Sequence, residues 1–182
     1  MAEAFTRMDR STEAQWTHIA REHARNFSRV AERVLAELRS LRDVVDGFAV
    51  DQLTHSLQTA TRAERDGADP EFVVASLCHD IGKAISVVNH AAIAAEVLRP
   101  YVREELYQVI RTHQDFQGRH YYAFMGKDPD ARAQYRDQPW FALAERFADE
   151  WDQRAFDPAY DTLPLEHFVP LVREVFGQPS RF

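Results

Sequence analysis

The sequence has few residues that interrupt helices and a single cysteine. Six glycines and eight prolines among 182 residues leave long stretches without a turn signal, which disfavours a sandwich or barrel and favours helices. Cys78 alone cannot form an intrachain disulfide. A formal net charge of −7 supplies no basic surface for nucleic acid or anionic membranes. The N-terminus has no signal core and no apolar run approaches a membrane span, so we expect a cytoplasmic protein.

The spacing of apolar residues predicts a helical protein. Hydrophobic residues make up 45% of the sequence, enough for the core of one compact domain. Apolar residues at helical spacing predict helices over residues 11–41, 51–67, 71–79, 90–98, 103–113, 139–152 and 165–176. Residues 114–138 are predicted to form a long loop with a short helix near 130–135. No segment alternates for long enough to predict a strand, so the predicted fold is an all-α single domain of about six to eight helices.

Four of the eight histidines fall beside apolar residues on successive predicted helices. They are His55, His79, His90 and His113, and Asp80 follows His79 directly. A single His-Asp pair, or one buried histidine, is common in proteins without a metal. Several buried imidazoles, however, are costly without polar partners, and one shared metal centre would satisfy all of them. Helical bundles build metal sites in this way, from inward side chains on facing helices.

Residues 51–83, DQLTHSLQTATRAERDGADPEFVVASLCHDIGK, resemble the centre of an HD domain, in which one helix carries a histidine and the next ends in the His-Asp pair. The order His55, His79-Asp80, His90, His113 and a late aspartate resembles the six-ligand arrangement of the mixed-valent di-iron HD oxygenases. That group includes myo-inositol oxygenase and the hydroxyphosphonate-cleaving oxygenases. The resemblance covers about residues 46–157. It implies a helical bundle with a metal site in its core, with residues 46–182 as the HD domain and 1–45 as a helical extension packed on it.

The resemblance also implies roles for the ligands. One iron would be held by His55, His79, Asp80 and Asp152, the other by His90 and His113, and Asp80 would bridge the two. Asp152 is preferred to Asp149 as the last ligand because it follows Trp151, as in the aromatic-Asp ending of the family. Histidine and aspartate ligands would also accept manganese, cobalt or zinc.

Candidate substrate contacts follow from the same comparison. Lys83 matches a substrate-contacting lysine of the inositol enzyme and, with Asp80, is the candidate catalytic pair; a surface cation near a helix C-terminus is the alternative. Phosphonate-cleaving relatives carry a lysine and an arginine where this chain has Gln117 and Asp149, so their cationic cradle is absent. Those relatives also carry a glutamate and a tyrosine upstream of the first histidine, and the equivalent positions of this chain are Phe48 and Val45. The predicted loop directly after His113 could close over the site, which makes further candidate contacts of Gln117, Arg119, His120, Tyr121 and Tyr122, and Asp149 is added to them.

The function implied by the resemblance is a di-iron oxygenase that oxidises or cleaves a small hydroxylated organic substrate with O2. The first alternative is an HD-type phosphohydrolase or phosphodiesterase acting on a small phosphoester or nucleotide, because the same ligands can activate water and polarise a phosphoryl oxygen. Few cations lie near the motifs, which argues against that alternative. A non-catalytic metal-binding protein is the second alternative. No partner protein or nucleic acid is predicted, and the oligomeric state stays open.

Overall fold

The computed structural model describes residues 4–181, and within that range it contains helices and no strand. The α-helices are α1 (Glu13–Phe27), α2 (Val30–Ser40), α3 (Gln52–Arg65), α4 (Pro70–Cys78), α5 (His90–Leu98), α6 (Glu104–Gln117), α7 (Phe141–Arg146) and α8 (Leu165–Phe176). A π-helix follows α7 directly over Phe147–Asp152. Short 3-10 helices lie at Met8–Arg10, Leu41–Asp43, Ile81–Ala84, Gly118–His120, Tyr122–Met125 and Ala131–Tyr135. The predicted all-α fold is therefore confirmed.

Helix α4 forms the centre of the core. Its residues 72–78 are all buried, as expected for a helix that is apolar on every side. Helix α3 packs along it, α6 and α8 contact it from other sides, and α5 packs on α6. The π-helix contacts both α3 and α6. The segments that carry the predicted ligands are therefore neighbours in space.

Two aspartates begin the helices that lead to the first histidines. Asp51 accepts a hydrogen bond from Thr54 N at 2.9 Å, and Asp69 accepts one from Phe72 N at 3.1 Å. Pro70 occupies the first turn after Asp69, where the missing N–H costs nothing. These N-caps satisfy main-chain donors that the helix cannot pair itself. They define where α3 and α4 start.

The single helix predicted over residues 11–41 is wrong. Helix α1 ends at Phe27, and α2 begins at Val30 after two residues of turn. The Ser28 hydroxyl donates to Arg25 O at 2.8 Å, and Arg29 leaves the helical region with φ −103° and ψ 1°. A serine side chain that bonds a nearby carbonyl competes with the helical backbone. The sequence has no glycine or proline at this break, so no turn-forming residue marks it.

The two halves of that segment differ in burial. Helix α1 buries none of its residues, although its apolar spacing is helical. Helix α2 buries Val34, Leu35 and Leu38 and packs against α8. The division into an extension over residues 1–45 and a domain over 46–182 stays a prediction.

Two other predicted boundaries also shift. Helix α6 continues to Gln117, four residues beyond its predicted end, and the rest of the predicted loop contains three 3-10 helices. The helix predicted over 139–152 is α-helical only at Phe141–Arg146, then changes to a π-helix. Among the described residues, no helix is both long enough and apolar enough to cross a membrane.

Truncating Leu38 to alanine is expected to lower the free energy of unfolding by about 2–5 kcal/mol, because the side chain is fully buried and its loss leaves a cavity. Urea denaturation measures the change. The control is Phe27→Ala, whose side chain is 67% exposed and should change stability by about 0.5 kcal/mol or less. Equal effects of the two substitutions would show that α2 is not part of the common core.

Candidate metal centre

Six side chains from five helical segments meet in the core. They are His55 of α3, His79 and Asp80 at the end of α4, His90 at the start of α5, His113 of α6 and Asp152 at the end of the π-helix. None of them is more than 4% exposed. Asp152, rather than Asp149, is the late aspartate that the structure brings to this cluster.

Each of the four imidazoles places its Nδ1 atom against a main-chain carbonyl. The pairs are His55 with Ala155 O at 3.0 Å, His79 with Ser76 O at 2.8 Å, His90 with Val87 O at 2.7 Å and His113 with Ile110 O at 2.7 Å. A carbonyl oxygen can only accept, so the hydrogen of a neutral ring resides on Nδ1. The Nε2 atom is then left with a lone pair. Metal-binding histidines are oriented by this same kind of outer hydrogen bond.

The Nε2 atoms face one another in two pairs. Those of His55 and His79 are 3.1 Å apart, and those of His90 and His113 are 3.3 Å apart. With hydrogens on Nδ1, neither member of a pair can donate to the other, so two lone pairs oppose each other. A cation near the pair removes this repulsion. The donor set therefore fits a metal ion.

The carboxylate of Asp80 lies between the two pairs. Its Oδ1 atom is 3.0 Å from Nε2 of His90 and 3.5 Å from that of His113. Its Oδ2 atom is 3.4 Å from Nε2 of His55 and 3.3 Å from that of His79. One oxygen thus faces each pair, so the cluster has two halves that share one carboxylate.

Asp152 adds a second carboxylate to the half of the cluster that contains His55 and His79. Its Oδ1 atom lies 3.1 Å from Nε2 of His55 and accepts a hydrogen bond from Gln117 Nε2 at 2.9 Å. Oδ2 of Asp152 and Oδ1 of Asp80 are buried without a hydrogen-bond partner. A buried carboxylate oxygen without a partner is costly, and a coordinated cation would satisfy it. The ligand atoms of His55, His79 and Asp152 all lie within 4.8 Å of one another, as do those of His79, Asp80 and His113.

The electrostatics of the cluster also favour positive charge. Burial by itself lowers the pKa of His79, but the charges of Asp80 and Asp152 outweigh it and raise this pKa to about 10. Burial acts to raise the pKa of Asp80, yet the charge of His79 and the surrounding imidazoles hold it well below its usual value. The pKa of Asp152 is lowered for the same reason. The negative charge that raises the pKa of His79 would equally favour a bound cation.

Gly82 lies where the segment after the His79-Asp80 pair passes close to the backbone of His90. It belongs to the 3-10 helix Ile81–Ala84, which packs against the start of α5. A Cβ atom at this position would lie 2.7 Å from His90 Cα and closer still to the carbonyl oxygen of His90. No side chain fits there without moving the backbone, so this position requires glycine.

A cavity of about 570 Å³ adjoins the cluster. His90 forms part of its wall and connects it to the metal centre. Four of the predicted substrate contacts line it: Lys83, Gln117, His120 and Tyr121. Lys83 Nζ donates to Asp80 Oδ2 at 2.6 Å and to Gln52 Oε1 at 3.0 Å. The structure therefore brings Lys83 to both the ligands and the cavity, and its side chain is 12% exposed, unlike a free surface cation.

Three predicted substrate contacts do not line this cavity. Arg119 is exposed. Tyr122 is buried, and its hydroxyl lies 3.4 Å from Asp115 Oδ1. Asp149 instead accepts hydrogen bonds from His120 and from the buried Arg132, at 3.0 Å in each case. The prediction nominated Arg119 and Tyr122 only from their place in the loop after His113, and that place does not determine which residues of its 3-10 helices line the cavity.

Sequence reasoning missed other residues of the cavity wall. Gln114 and Gln153 line it, and each directly follows a predicted ligand, which is a signal that could have identified them. The remaining wall is formed by Asp46, Phe48, Val87, Met125 and Phe156. The Phe156 ring also stacks on His55, with ring centroids 4.3 Å apart. Phe48 lies at a position that the spacing of the phosphonate-cleaving relatives reaches, whereas no spacing rule connects the other four residues to the predicted ligands.

The comparison with known families agrees with this geometry. The family model described as HD domain matches residues 53–156, which is more than half of the chain. The chain belongs to the HD-domain family. The matched range contains all six clustered residues of the HD domain. No curated protein matches the chain. HD domains are a family of metal-dependent enzymes that bind divalent ions, and the two buried groups of ligand atoms could hold such ions.

Removing metal ions from the HD domain with a chelator is expected to lower its Tm by roughly 5–10 °C, because bound metal stabilises only the folded protein. Differential scanning calorimetry of loaded and stripped protein measures this change, and added metal should reverse it.

The variant His79→Ala should lose most of this response. The control is His167→Ala, since His167 is a partly exposed histidine paired with Glu64 and lies outside the cluster. Identical Tm values for loaded and stripped protein would contradict a metal centre in the core.

Proposed function

We propose that this HD-domain protein is a di-iron oxygenase that oxidises a small hydroxylated organic substrate with O2. The observation that supports it most directly is Asp80, whose two oxygens each face one pair of imidazoles. Single-metal HD phosphohydrolases have a smaller set of ligands: one histidine, the His-Asp pair and a late aspartate. This chain has two further histidines in the cluster, His90 and His113, which would hold a second ion.

The proposed ligands divide into two halves. His55, His79, Asp152 and one oxygen of Asp80 would hold the first ion. His90, His113 and the other oxygen of Asp80 would hold the second. When bound, a mixed-valent iron pair supplies the reaction with O2 and the removal of hydrogen from the substrate carbon.

The chain's own groups hold the ligands and receive the substrate. The carbonyls of Ala155, Ser76, Val87 and Ile110 hold the four rings with Nε2 inward, and Gln117 orients Asp152. Burial of all six ligands excludes bulk water from the reacting groups. Substrate would enter through the cavity whose wall contains His90 and Lys83. The ammonium of Lys83 can donate to a substrate oxygen placed beside Asp80.

A phosphohydrolase is the alternative, since the same ligands could activate water for attack on a phosphoryl group. Such an enzyme needs cations to bind the phosphoryl oxygens. The two basic side chains of the cavity wall besides the ligand candidate His90 are Lys83 and His120. Both already contact carboxylates, those of Asp80 and Asp149. This pairing supports the oxygenase over the phosphohydrolase.

Iron-loaded, partially reduced protein is expected to contain two irons per chain and to give the half-integer spin signal of a coupled mixed-valent pair. Elemental analysis with low-temperature EPR measures both. His90→Ala should abolish the signal and lower the iron content, whereas His167→Ala should change neither. Phosphate release from a panel of phosphoesters, without O2 uptake and without this signal, would reject the oxygenase.

Replacing Lys83 with methionine is expected to lower kcat/KM for O2 uptake by about 10- to 100-fold, the loss expected when a charged hydrogen bond is removed. Iron content should stay the same, because Lys83 is not a proposed ligand. The effect is measured as kcat/KM from O2 uptake in an oxygen electrode, with each small hydroxylated substrate that is tested. Lys127→Met is the control, since Lys127 is exposed and lies outside the cavity wall. Unchanged kinetics in Lys83→Met would remove it from the catalytic site.

A further inference from the structure

The cavity beside the metal centre has an apolar side. Phe48, Val87, Met125 and Phe156 line it. The first three are 46%, 52% and 62% exposed, although they come from segments far apart in sequence. Single exposed apolar residues need no explanation, but apolar residues that converge on one concavity mark a binding surface. Something apolar is therefore expected to cover them.

The polar side of the cavity is mostly uncharged. Gln114, Gln117 and Gln153 contribute carboxamides, and Tyr121 contributes a half-buried phenol. Gln117 donates to Asp152, so this side begins at the metal centre. Carboxamides and a phenol can bind hydroxyl groups as donors or acceptors.

The charges of the wall disfavour an anionic ligand. Lys83 and His120 are each within hydrogen-bond distance of a carboxylate. Asp46 adds a carboxylate to the wall. The protein side chains therefore offer little net positive charge to a phosphate, phosphonate or carboxylate group.

The volume of the cavity is also informative. About 570 Å³ falls in the range of pockets that enclose ligands of drug size, about 300–1,000 Å³. A small polyol would leave the apolar side in contact with water. A ligand that fills the cavity would cover both sides at once.

We infer that the substrate is an uncharged amphiphile. Its hydroxyl-bearing end lies at the carboxamides and the metal centre, and its alkyl chain or ring lies against Phe48, Val87, Met125 and Phe156. The position of the hydroxyl end rests on the proposed function, whereas the apolar contact rests on the cavity alone.

Isothermal titration calorimetry with anaerobic iron-loaded protein tests this inference. The probes are 1,2-ethanediol, 1,2-butanediol, 1,2-hexanediol, 1,2-octanediol and myo-inositol. The Kd of the diols is expected to fall about two- to fourfold for each added methylene group, and myo-inositol should bind more weakly than octanediol. A Kd independent of chain length, or tightest binding by myo-inositol, would overturn the inference.

Two substitutions locate the apolar contact. Met125→Gln and Val87→Thr should each raise the Kd of octanediol about three- to tenfold while leaving that of ethanediol unchanged. The matched controls are Met8→Gln and Val88→Thr, at residues 66% and 90% exposed that do not line the cavity. Thermal unfolding verifies that each variant is folded. Equal effects at the test and control positions would overturn the inference.

The outcome can be separated from that of the oxygenase proposal because binding requires no turnover. The same titrations with zinc-loaded protein should retain the dependence on chain length. Retained dependence without a mixed-valent signal would reject the di-iron oxygenase and support the amphiphile. A mixed-valent signal without dependence on chain length would support the di-iron oxygenase and overturn the amphiphile.

Discussion

Each imidazole of the metal centre donates its Nδ1 hydrogen to a main-chain carbonyl, and in three cases that carbonyl belongs to the residue three positions earlier in the chain. Local hydrogen bonds within the chain therefore orient three of the rings, and the carbonyl of Ala155 orients the fourth. The consequence is that all four Nε2 lone pairs point at two carboxylates in a space closed to solvent. A cation in the cluster would offset the opposed lone pairs and the buried carboxylates. The packing of α3–α6 thus creates a place in the core that favours positive charge.

The π-helix Phe147–Asp152 connects this cluster to the cavity wall. Its Trp151 donates to Asp66 Oδ2 at 3.0 Å and anchors it to the end of α3, while Asp152 faces the ligands. Asp149, three residues earlier, faces the other way and is bound by His120 and Arg132. A wider helical turn changes the angle between residues three apart. One short segment therefore places Asp152 in the cluster and, through Asp149, contacts His120 of the cavity wall.

The clustered residues could be identified from the sequence because they follow one another in a recognisable order, with His79 and Asp80 adjacent and the other histidines on successive helices. The neighbouring Trp151 favours Asp152 over Asp149 in the sequence, and Asp152 lies in the cluster, while its role as a metal ligand stays a prediction. The break after Phe27 could not be predicted, because it depends on one serine hydroxyl and no turn residue. The exposure of α1 and the convergence of Phe48, Val87 and Met125 on one cavity depend on how distant segments pack. Periodicity describes a single helix and contains no information about that packing.

Gly82 has a consequence for the spacing of the cluster. It contributes no ligand atom, yet the backbone of His90 occupies the space that any side chain at residue 82 would need. The distance between the two halves of the cluster therefore depends on how closely the backbone at residue 82 and the backbone of His90 can approach each other. A methyl group at residue 82 would require the start of α5 to move, although no histidine or aspartate of the cluster would change. The number of candidate ligand residues in the sequence therefore does not by itself fix how closely their helices approach, and the absent side chain at residue 82 contributes to that distance.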